Sequence, residues 1–188
     1  ADDASAASTP ARSGDGDLPC LVTTSSGTTA EPKLIAVTHR QFHHRMTYAG
    51  PMGFDDQDRL LSLLDLGTFV QRSVVMRALM SGATVHLAPL ESAPAIVDYC
   101  NRNRITSIFA LPYMVSTWLR TVSPSEDTRL IHVRKLVLAG STVTRQEFDA
   151  AVERFTPNIF VTYGCTELGA ASFADPDMRR RFPLSIGR

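Results

Sequence analysis

The chain has 188 residues, of which 44% are hydrophobic and 20% charged, values typical of a folded globular protein and unlike those of a disordered or fibrous one. Nineteen Lys and Arg residues balance nineteen Asp and Glu residues, so the chain has no excess positive charge to attract nucleic acid or acidic membranes, and we expect neither as a partner. No apolar run approaches the eighteen or so residues needed to cross a bilayer, which predicts a cytoplasmic protein without a membrane span.

The first 17 residues differ in composition from the rest of the chain. They are small and polar, with too few apolar side chains to offset the entropy lost on ordering, so residues 1–17 are predicted to be a flexible leader or linker. In residues 18–188, short runs rich in Val, Ile and Leu alternate with longer segments of helical period. This alternation predicts an α/β fold, with a mostly parallel sheet flanked by helices.

The predicted elements follow one another in βα units. The predicted strands are Cys20–Thr24, Leu34–Val37, Arg59–Leu64, Thr84–Ala88, Ser107–Leu111, Lys135–Ala139 and Asn158–Thr162. The predicted helices are His39–Tyr48, Phe69–Met80, Ser92–Asn103, Tyr113–Thr121 and Arg145–Phe155. Thr38 with Gln41, and Thr144 with Glu147, have the spacing of a capping box at a helix start. Gly82 is predicted to end the second helix, because glycine tolerates a positive φ.

A hydroxyl-rich loop lies between the first two predicted strands. Residues 24–33, TSSGTTAEPK, contain five hydroxyl side chains, a glycine and Lys33. Polyphosphate offers many charged oxygens, and such a loop can supply backbone amides, hydroxyls and a cation to bind them. The pattern GxxxxGK[ST] is absent, which excludes a Walker A loop. Taken alone, the segment is equally consistent with a surface hairpin.

A second segment, YGCTE at residues 163–167, comes directly after the predicted strand Asn158–Thr162. Ligands bind beyond the carboxyl ends of strands in open α/β sheets. An aromatic ring, a glycine that permits close backbone approach, a hydroxyl and a carboxylate can together hold an adenine ring, a phosphate and Mg²⁺. Taken alone, an ordinary turn is the commoner explanation of such a segment.

Taken together, the two segments resemble the phosphate loop and the YGxTE signature of the adenylate-forming superfamily, which includes acyl-CoA synthetases, luciferases and peptide-synthetase adenylation domains. The resemblance continues in shorter segments: Val37–Arg40, Ser81–Ala83, Ala110–Pro112, Ala139–Ser141 and Ser185–Arg188. It covers nearly everything from Asp17 onward. It implies that the chain is the middle part of the large domain of such an enzyme, and that its partner is the remainder of the ligase or a separate chain.

The resemblance also implies a reaction and a set of site residues. A carboxylic acid would react with ATP, with Mg²⁺ as cofactor, to give an acyl adenylate, and the acyl group would pass to coenzyme A or to a carrier-protein phosphopantetheine thiol. The nucleotide-binding residues would be Ser25, Ser26, Gly27, Thr28, Thr29, Lys33, Gly140, Ser141, Tyr163, Gly164 and Thr166. Lys33 and the loop would hold the β- and γ-phosphates, and Tyr163 would lie against the adenine. Thr166 would contact the α-phosphate, Glu167 would bind Mg²⁺, and Lys33, Thr166 and Glu167 would be catalytic.

Three features depart from the family pattern. Ala30 replaces the second loop glycine, Leu34 stands where a glycine usually follows the lysine, and residues 64–68 lack an aromatic-His pair. They support an alternative, a degenerate non-catalytic nucleotide-binding or protein-interaction module with the same fold. The family's C-terminal lysine lies beyond Arg188, so we expect this fragment to be unable to turn over alone. The sequence leaves open whether the acid is a fatty, aryl or amino acid.

Other noticeable residues are assigned structural roles. His39 and His43 have the i, i+4 spacing of a metal pair, but no third ligand is nearby. Arg179–Arg181 is interpreted as a solvated helical turn, and Trp118 as a packing residue. Three cysteines without a CxxC spacing are predicted to be mostly buried thiols: Cys20, Cys100 and Cys165.

Overall fold

The computed structural model describes residues 15–25, 33–47, 53–90, 92–123 and 125–187. The strands in these ranges are β1 (Pro19–Ser25), β2 (Lys33–Thr38), β3 (Arg59–Ser62), β4 (Thr84–Leu87), β5 (Ser107–Ala110), β6 (Lys135–Leu138), β7 (Ile159–Cys165) and β8 (Gly169–Ala174). The helices are α1 (His39–Thr47), α2 (Phe69–Met80), α3 (Ala93–Arg102), α4 (Pro112–Thr121), α5 (Arg145–Arg154) and α6 (Pro176–Arg181). Among these helices, none combines the length and the apolar character that crossing a bilayer requires.

The predicted alternation of strands and helices is confirmed, and so are its local signals. The Thr38 hydroxyl accepts a hydrogen bond from the Gln41 amide at 3.3 Å, while the Gln41 side chain accepts one from the Thr38 amide at 3.0 Å. Thr144 and Glu147 form the same reciprocal capping box at the start of α5. Gly82 follows the end of α2 with a φ of +81°, as predicted.

The sheet is mostly parallel, which confirms the predicted fold class. Six strands pair in the order β4-β3-β5-β6-β7-β8. Strands β3 to β7 run parallel to their neighbours, and β8 pairs with β7 in the antiparallel direction. Strands β1 and β2 form a separate antiparallel hairpin.

The chain reverses direction across the sheet at β3. Strand β4 lies on one side of β3, whereas β5, β6 and β7 follow one another on the other side. Because crossovers between parallel strands are right-handed, this reversal puts α2 on one face of the sheet and α3, α4 and α5 on the opposite face. Crevices at the carboxyl ends of strands beside such a reversal are the usual ligand sites of open α/β sheets.

Alternate residues of the central strands supply two separate cores. Ile108 of β5 and Leu136 of β6 are buried against α3, α4 and α5, together with Trp118, whose predicted packing role is confirmed. Their neighbours Phe109 and Val137 point the other way and pack with α2. Each fully buried side chain of this size contributes about 1.5–3 kcal/mol, so the two-residue alternation fixes which face of each strand meets which helix.

Three features of the fold differ from the sequence predictions. Cys20 and Cys165 are exposed, and among the cysteines Cys100 alone is buried, where burial raises the pKa of its thiol to about 12. Arg179 is 3% exposed, with its guanidinium 4.6 Å from the centre of the Phe148 ring, so it is not solvated. Strand β8 was not predicted, because its sequence GAASFA is rich in small residues with weak strand propensity.

A buried carboxylate, that of Asp58, ties together the amino ends of β3, β5 and β6. The fully buried side chain accepts hydrogen bonds from the Thr106 hydroxyl at 2.7 Å, from Nη2 of Arg134 at 3.1 Å and from Nζ of Lys135 at 3.1 Å. Burial alone would raise the pKa of Asp58, but hydrogen bonds from Thr106 and Lys135 outweigh it and hold that pKa below its usual value.

Replacing this carboxylate by an amide is expected to destabilise the fold. Asp58→Asn should lower the free energy of unfolding at pH 7 by about 2–3 kcal/mol, since it leaves partly exposed cations without their charged partner. Because the pKa of Asp58 is lowered in the folded state, its contribution is complete above the unfolded pKa of about 3.9 and is lost as the pH falls through the folded pKa. Urea unfolding should therefore show the difference shrinking below about pH 4.

The matched control for this prediction is Asp98→Asn. The Asp98 side chain is 52% exposed and pairs with Arg102 on the surface of α3, so its removal should change stability little. Equal unfolding free energies for the two variants at pH 7 would contradict the role assigned to Asp58.

Candidate functional site

A cleft of about 490 Å³ opens between α2 and the carboxyl ends of β5 and β6, within the size range of small-molecule sites. Helix α1 contributes Arg45 to its wall, and α2 contributes Phe69, Ser73 and Arg77. The turn between β7 and β8 contributes Thr166. The cleft is thus at the place that the reversal of strand order at β3 favours for a ligand.

The YGCTE segment forms the end of β7 and the turn that leads into β8. Strand β7 pairs with β6 as far as Val161, and from Val161 to Cys165 it pairs with β8. A Cβ atom at Gly164 would lie 2.2 Å from the carbonyl oxygen of Gly169, so any other residue would force the two strands apart. This close approach fixes the turn that presents Thr166 to the cleft.

Arg45 holds the same turn by hydrogen bonds. Its Nη1 donates to the Thr166 carbonyl at 2.9 Å, and its Nη2 donates to the Glu167 carbonyl. The guanidinium carbon lies 5.1 Å from the centre of the Phe69 ring. Burial lowers the pKa of Arg45, and the charge of Glu167 acts in the opposite direction. One side chain of α1 therefore joins the start of α2 to the β7–β8 turn.

Arg77 is a second cation in the cleft wall. Its Nη2 donates to the Arg45 carbonyl at 3.0 Å, and its Nε is buried with no hydrogen-bond partner among the described residues. Burial lowers the pKa of Arg77. In the described parts of the chain, no acidic side chain lies within 4.0 Å of it. The cleft therefore has two arginines and, in Glu167, one carboxylate in its lining.

The structure brings four of the predicted site residues to this one cleft. Gly140, Gly164, Thr166 and Glu167 all line it. Gly140 comes just after β6, whereas the other three lie at the end of β7 or in the turn after it. Two segments that are separate in sequence thus meet at the carboxyl edge of the sheet.

Other predicted site residues lie elsewhere or outside the described ranges. Tyr163 is 57% exposed and Ser141 is exposed, and neither lines the cleft. Lys33 is exposed at the start of β2, where its backbone pairs with that of Ser25. Four members of the predicted phosphate loop lie outside the described residues: Ser26, Gly27, Thr28 and Thr29.

The lining residues of α1 and α2 were not identified from the sequence. Phe69, Ser73 and Arg77 are four residues apart, so they share one face of α2, and this spacing is the signal that was available. Arg45 had no comparable signal, because its partners, Thr166 and Glu167, are more than a hundred residues away in the chain.

Comparison with known proteins identifies a family and a related ligase. A sequence profile of a family described as AMP-binding enzyme matches residues 1–188. A crotonobetaine/carnitine–CoA ligase from Salmonella paratyphi C is 32% identical over 183 residues, which are 96% of this chain and 34% of the ligase. The chain therefore spans about a third of the length of this curated relative.

Solved structures show the same fold. The o-succinylbenzoate coenzyme A synthetase of Bacillus subtilis, in complex with ATP and magnesium ion, matches with a TM-score of 0.76 and 24% identity, over 93% of this chain and 36% of that one. The N-terminal domain of FACL13 from Mycobacterium tuberculosis matches with a TM-score of 0.77 and 21% identity, over 89% and 42% of the two chains. At these identities the similarity establishes the fold.

Removing the Arg45 guanidinium is expected to loosen the β7–β8 turn. In Arg45→Met the stem of the side chain remains, but the hydrogen bonds to the Thr166 and Glu167 carbonyls are lost. Amide hydrogen exchange in residues 163–170 should become about tenfold faster, the equivalent of one or two such hydrogen bonds. Arg40→Met is the matched control, since Arg40 lies on the same helix and pairs with Asp17 on the surface. Unchanged exchange in Arg45→Met would show that the turn is held by other contacts.

Proposed function

The chain belongs to the family of AMP-binding enzymes, and from this premise we propose that it is the nucleotide-binding part of an ATP-dependent ligase that activates a carboxylic acid. The observation that carries the proposal is the cleft in which Gly140, Gly164, Thr166 and Glu167 meet. The 32% identical relative is named as a CoA ligase, and a synthetase of the same fold is described as a complex with ATP and magnesium ion.

The proposed reaction has two steps. An oxygen of the carboxylate attacks the α-phosphorus of ATP, the bond from that phosphorus to the bridging oxygen of the β-phosphate breaks, and pyrophosphate leaves. The thiol of coenzyme A, or of a carrier-protein phosphopantetheine, then attacks the acyl carbon, and AMP leaves. Transfers of this kind are catalysed mainly by positioning the reactants and stabilising charge. The β7–β8 turn presents polar groups to the cleft, and such groups can position the reactants and stabilise charge.

The residues of the β7–β8 turn are proposed to bind the reacting phosphate and the metal. Thr166 donates its hydroxyl to the α-phosphate, and Glu167 offers a carboxylate oxygen to Mg²⁺. In the described part of the chain, no group of three or more His, Cys, Asp or Glu side chains could hold a metal ion. A single carboxylate is a suitable protein ligand for Mg²⁺, which proteins commonly bind through one or two carboxylates, with substrate phosphates and water as the other ligands. When bound, Mg²⁺ would neutralise charge on the phosphate oxygens.

The adenine is proposed to lie beside the end of β6. Gly140 and Ser141 would contact it through their backbones, and Tyr163 through its ring. Gly140 supports this placement because it lines the cleft near the turn that carries Thr166. The ring of Tyr163 is exposed, so it could lie over an adenine from outside the cleft.

The loop between β1 and β2 is proposed to hold the β- and γ-phosphates, through Ser25, Lys33 and the hydroxyl and backbone groups of residues 26–29. Ser25 and Lys33 pair across the hairpin, so the loop begins and ends at one place. The hairpin contacts α2, since Nη2 of Arg72 donates to the Thr23 hydroxyl at 3.5 Å. A single helix therefore connects the base of the loop to the cleft wall.

We propose that the partner of this chain is the remainder of the ligase. The relative is about three times as long as this chain. We propose that residues outside this chain supply the family's C-terminal lysine, so the chain alone does not complete turnover. The cytoplasmic location stays a prediction.

Substitutions at two proposed MgATP contacts test whether these residues bind the nucleotide. Glu167→Gln and Lys33→Ala should each raise the dissociation constant of MgATP about tenfold or more, because each removes a charged contact worth about 1.5–3 kcal/mol. Both residues are exposed, so the circular dichroism spectrum should stay that of the parent. Glu153→Gln, an exposed residue on α5, is the control for titration calorimetry. Parent-like affinity in both site variants would show that the assignment of Lys33 and Glu167 to the MgATP site is wrong.

A further inference from the structure

The contacts of the described residues use only part of the hydrogen-bonding capacity of Arg77. The same cleft is also lined by Val70, Val74 and Phe109, which are apolar. Of the five N–H donors of Arg77, one is used in a hydrogen bond to the Arg45 carbonyl, and the Nε is buried without a partner among the described residues. A half-buried cation without an anion reduces stability, since it loses hydration that nothing replaces. An anion bound in the cleft would remove this cost.

The place of Arg77 along α2 separates it from the groups proposed to react. The Phe69 end of α2 lies close to the β7–β8 turn, because the Arg45 guanidinium contacts both the Phe69 ring and the Thr166 carbonyl. The Cα atom of Arg77 lies eight residues further along the helix than that of Phe69, or about 12 Å along the helix axis at 1.5 Å per residue. The cleft thus has a polar end beside Thr166 and a second cation, Arg77, whose backbone lies about two turns further along α2.

We infer that the acid activated in this cleft carries a second carboxylate, at the end opposite the reacting one, and that Arg77 binds this distal carboxylate. The inference rests on the proposed function, which places the reacting carboxylate beside Thr166. A guanidinium matches a carboxylate in shape and in hydrogen-bond geometry. The apolar residues between the two ends, such as Val74 and Phe109, suit the hydrocarbon part that joins the two carboxylates. Arg77 is then a specificity-determining residue.

The nucleotide is a less suitable partner for Arg77. The residues proposed to bind its phosphates are in the β7–β8 turn and in the loop of the β1–β2 hairpin, and this hairpin contacts the first turn of α2 through Thr23 and Arg72. An acid that occupies the cleft beside α2 reaches Arg77 without displacing those contacts.

Titration calorimetry with paired probes tests the inference. Glutarate, adipate and suberate are each compared with their monoamides, which have the same length and lack the second charge, with AMP present to fill the nucleotide region. For the parent chain, at least one dicarboxylate is expected to bind about ten- to hundredfold more tightly than its monoamide, the range of one charged hydrogen-bonded contact. Arg77→Gln should remove that preference, and Arg77→Lys should restore part of it. Arg120→Gln, on the exposed surface of α4, should keep it.

The outcomes separate the inference from the proposed function. Absence of any preference in the parent, or an unchanged preference in Arg77→Gln, overturns the assignment of Arg77. If the parent binds MgATP and shows no preference, the proposed function stands and this inference fails. If it binds neither MgATP nor any of the acids, both fail. Thermal unfolding provides a second measurement, because the loss of a purely structural contact of Arg77 would lower the unfolding temperature. Arg77→Gln should unfold at the same temperature as the parent or higher, whereas a clearly lower unfolding temperature would assign Arg77 to the scaffold.

Discussion

The reversal of strand order at β3 is the constraint on which the site depends. It gives α3, α4 and α5 one face of the sheet and leaves α2 on the other. The first face is covered by a large core and the second by a smaller one, of which Val74, Phe109 and Ala139 also line the cleft. The space beside α2 becomes the cleft. A ligand there can be reached from loops that are far apart in the sequence, which is how Gly140 and Thr166 come to share one site.

Two close contacts then fix the polar end of the cleft. The packing of Gly164 on Gly169 brings β8 tightly against β7, and Arg45 holds the following turn by its carbonyl oxygens. Because Arg45 bonds to backbone oxygens, the ligand contacts proposed for the Thr166 hydroxyl and the Glu167 carboxylate would not compete with it. With Arg45 and Arg77 in its wall, the cleft suits anionic ligands, and both ATP and a carboxylic acid are anions.

The elements and the carboxyl-edge position of the YGCTE segment followed from local signals in the sequence. Alternating apolar runs, the capping boxes and Gly82 act over a few residues, so they could be recognised without the fold. Contacts between distant segments could not be predicted in this way. The burial of Arg179 depends on Phe148, a residue of another helix, and the role of Arg77 depends on what lies opposite α2. The roles proposed for Ser25, Lys33 and Tyr163 rest on their resemblance to the family's motifs.

The most direct test of the account is a titration of the chain with a non-hydrolysable acyl-adenylate analogue, compared with AMP and with the free acid, while backbone amide signals are followed by nuclear magnetic resonance. If nucleotide and acid share the cleft, the analogue should bind more tightly than either half, and the largest signal changes should fall at Gly140, Gly164 and Thr166. A folded chain that binds the analogue no better than AMP, or whose signals change away from the cleft, would contradict the account.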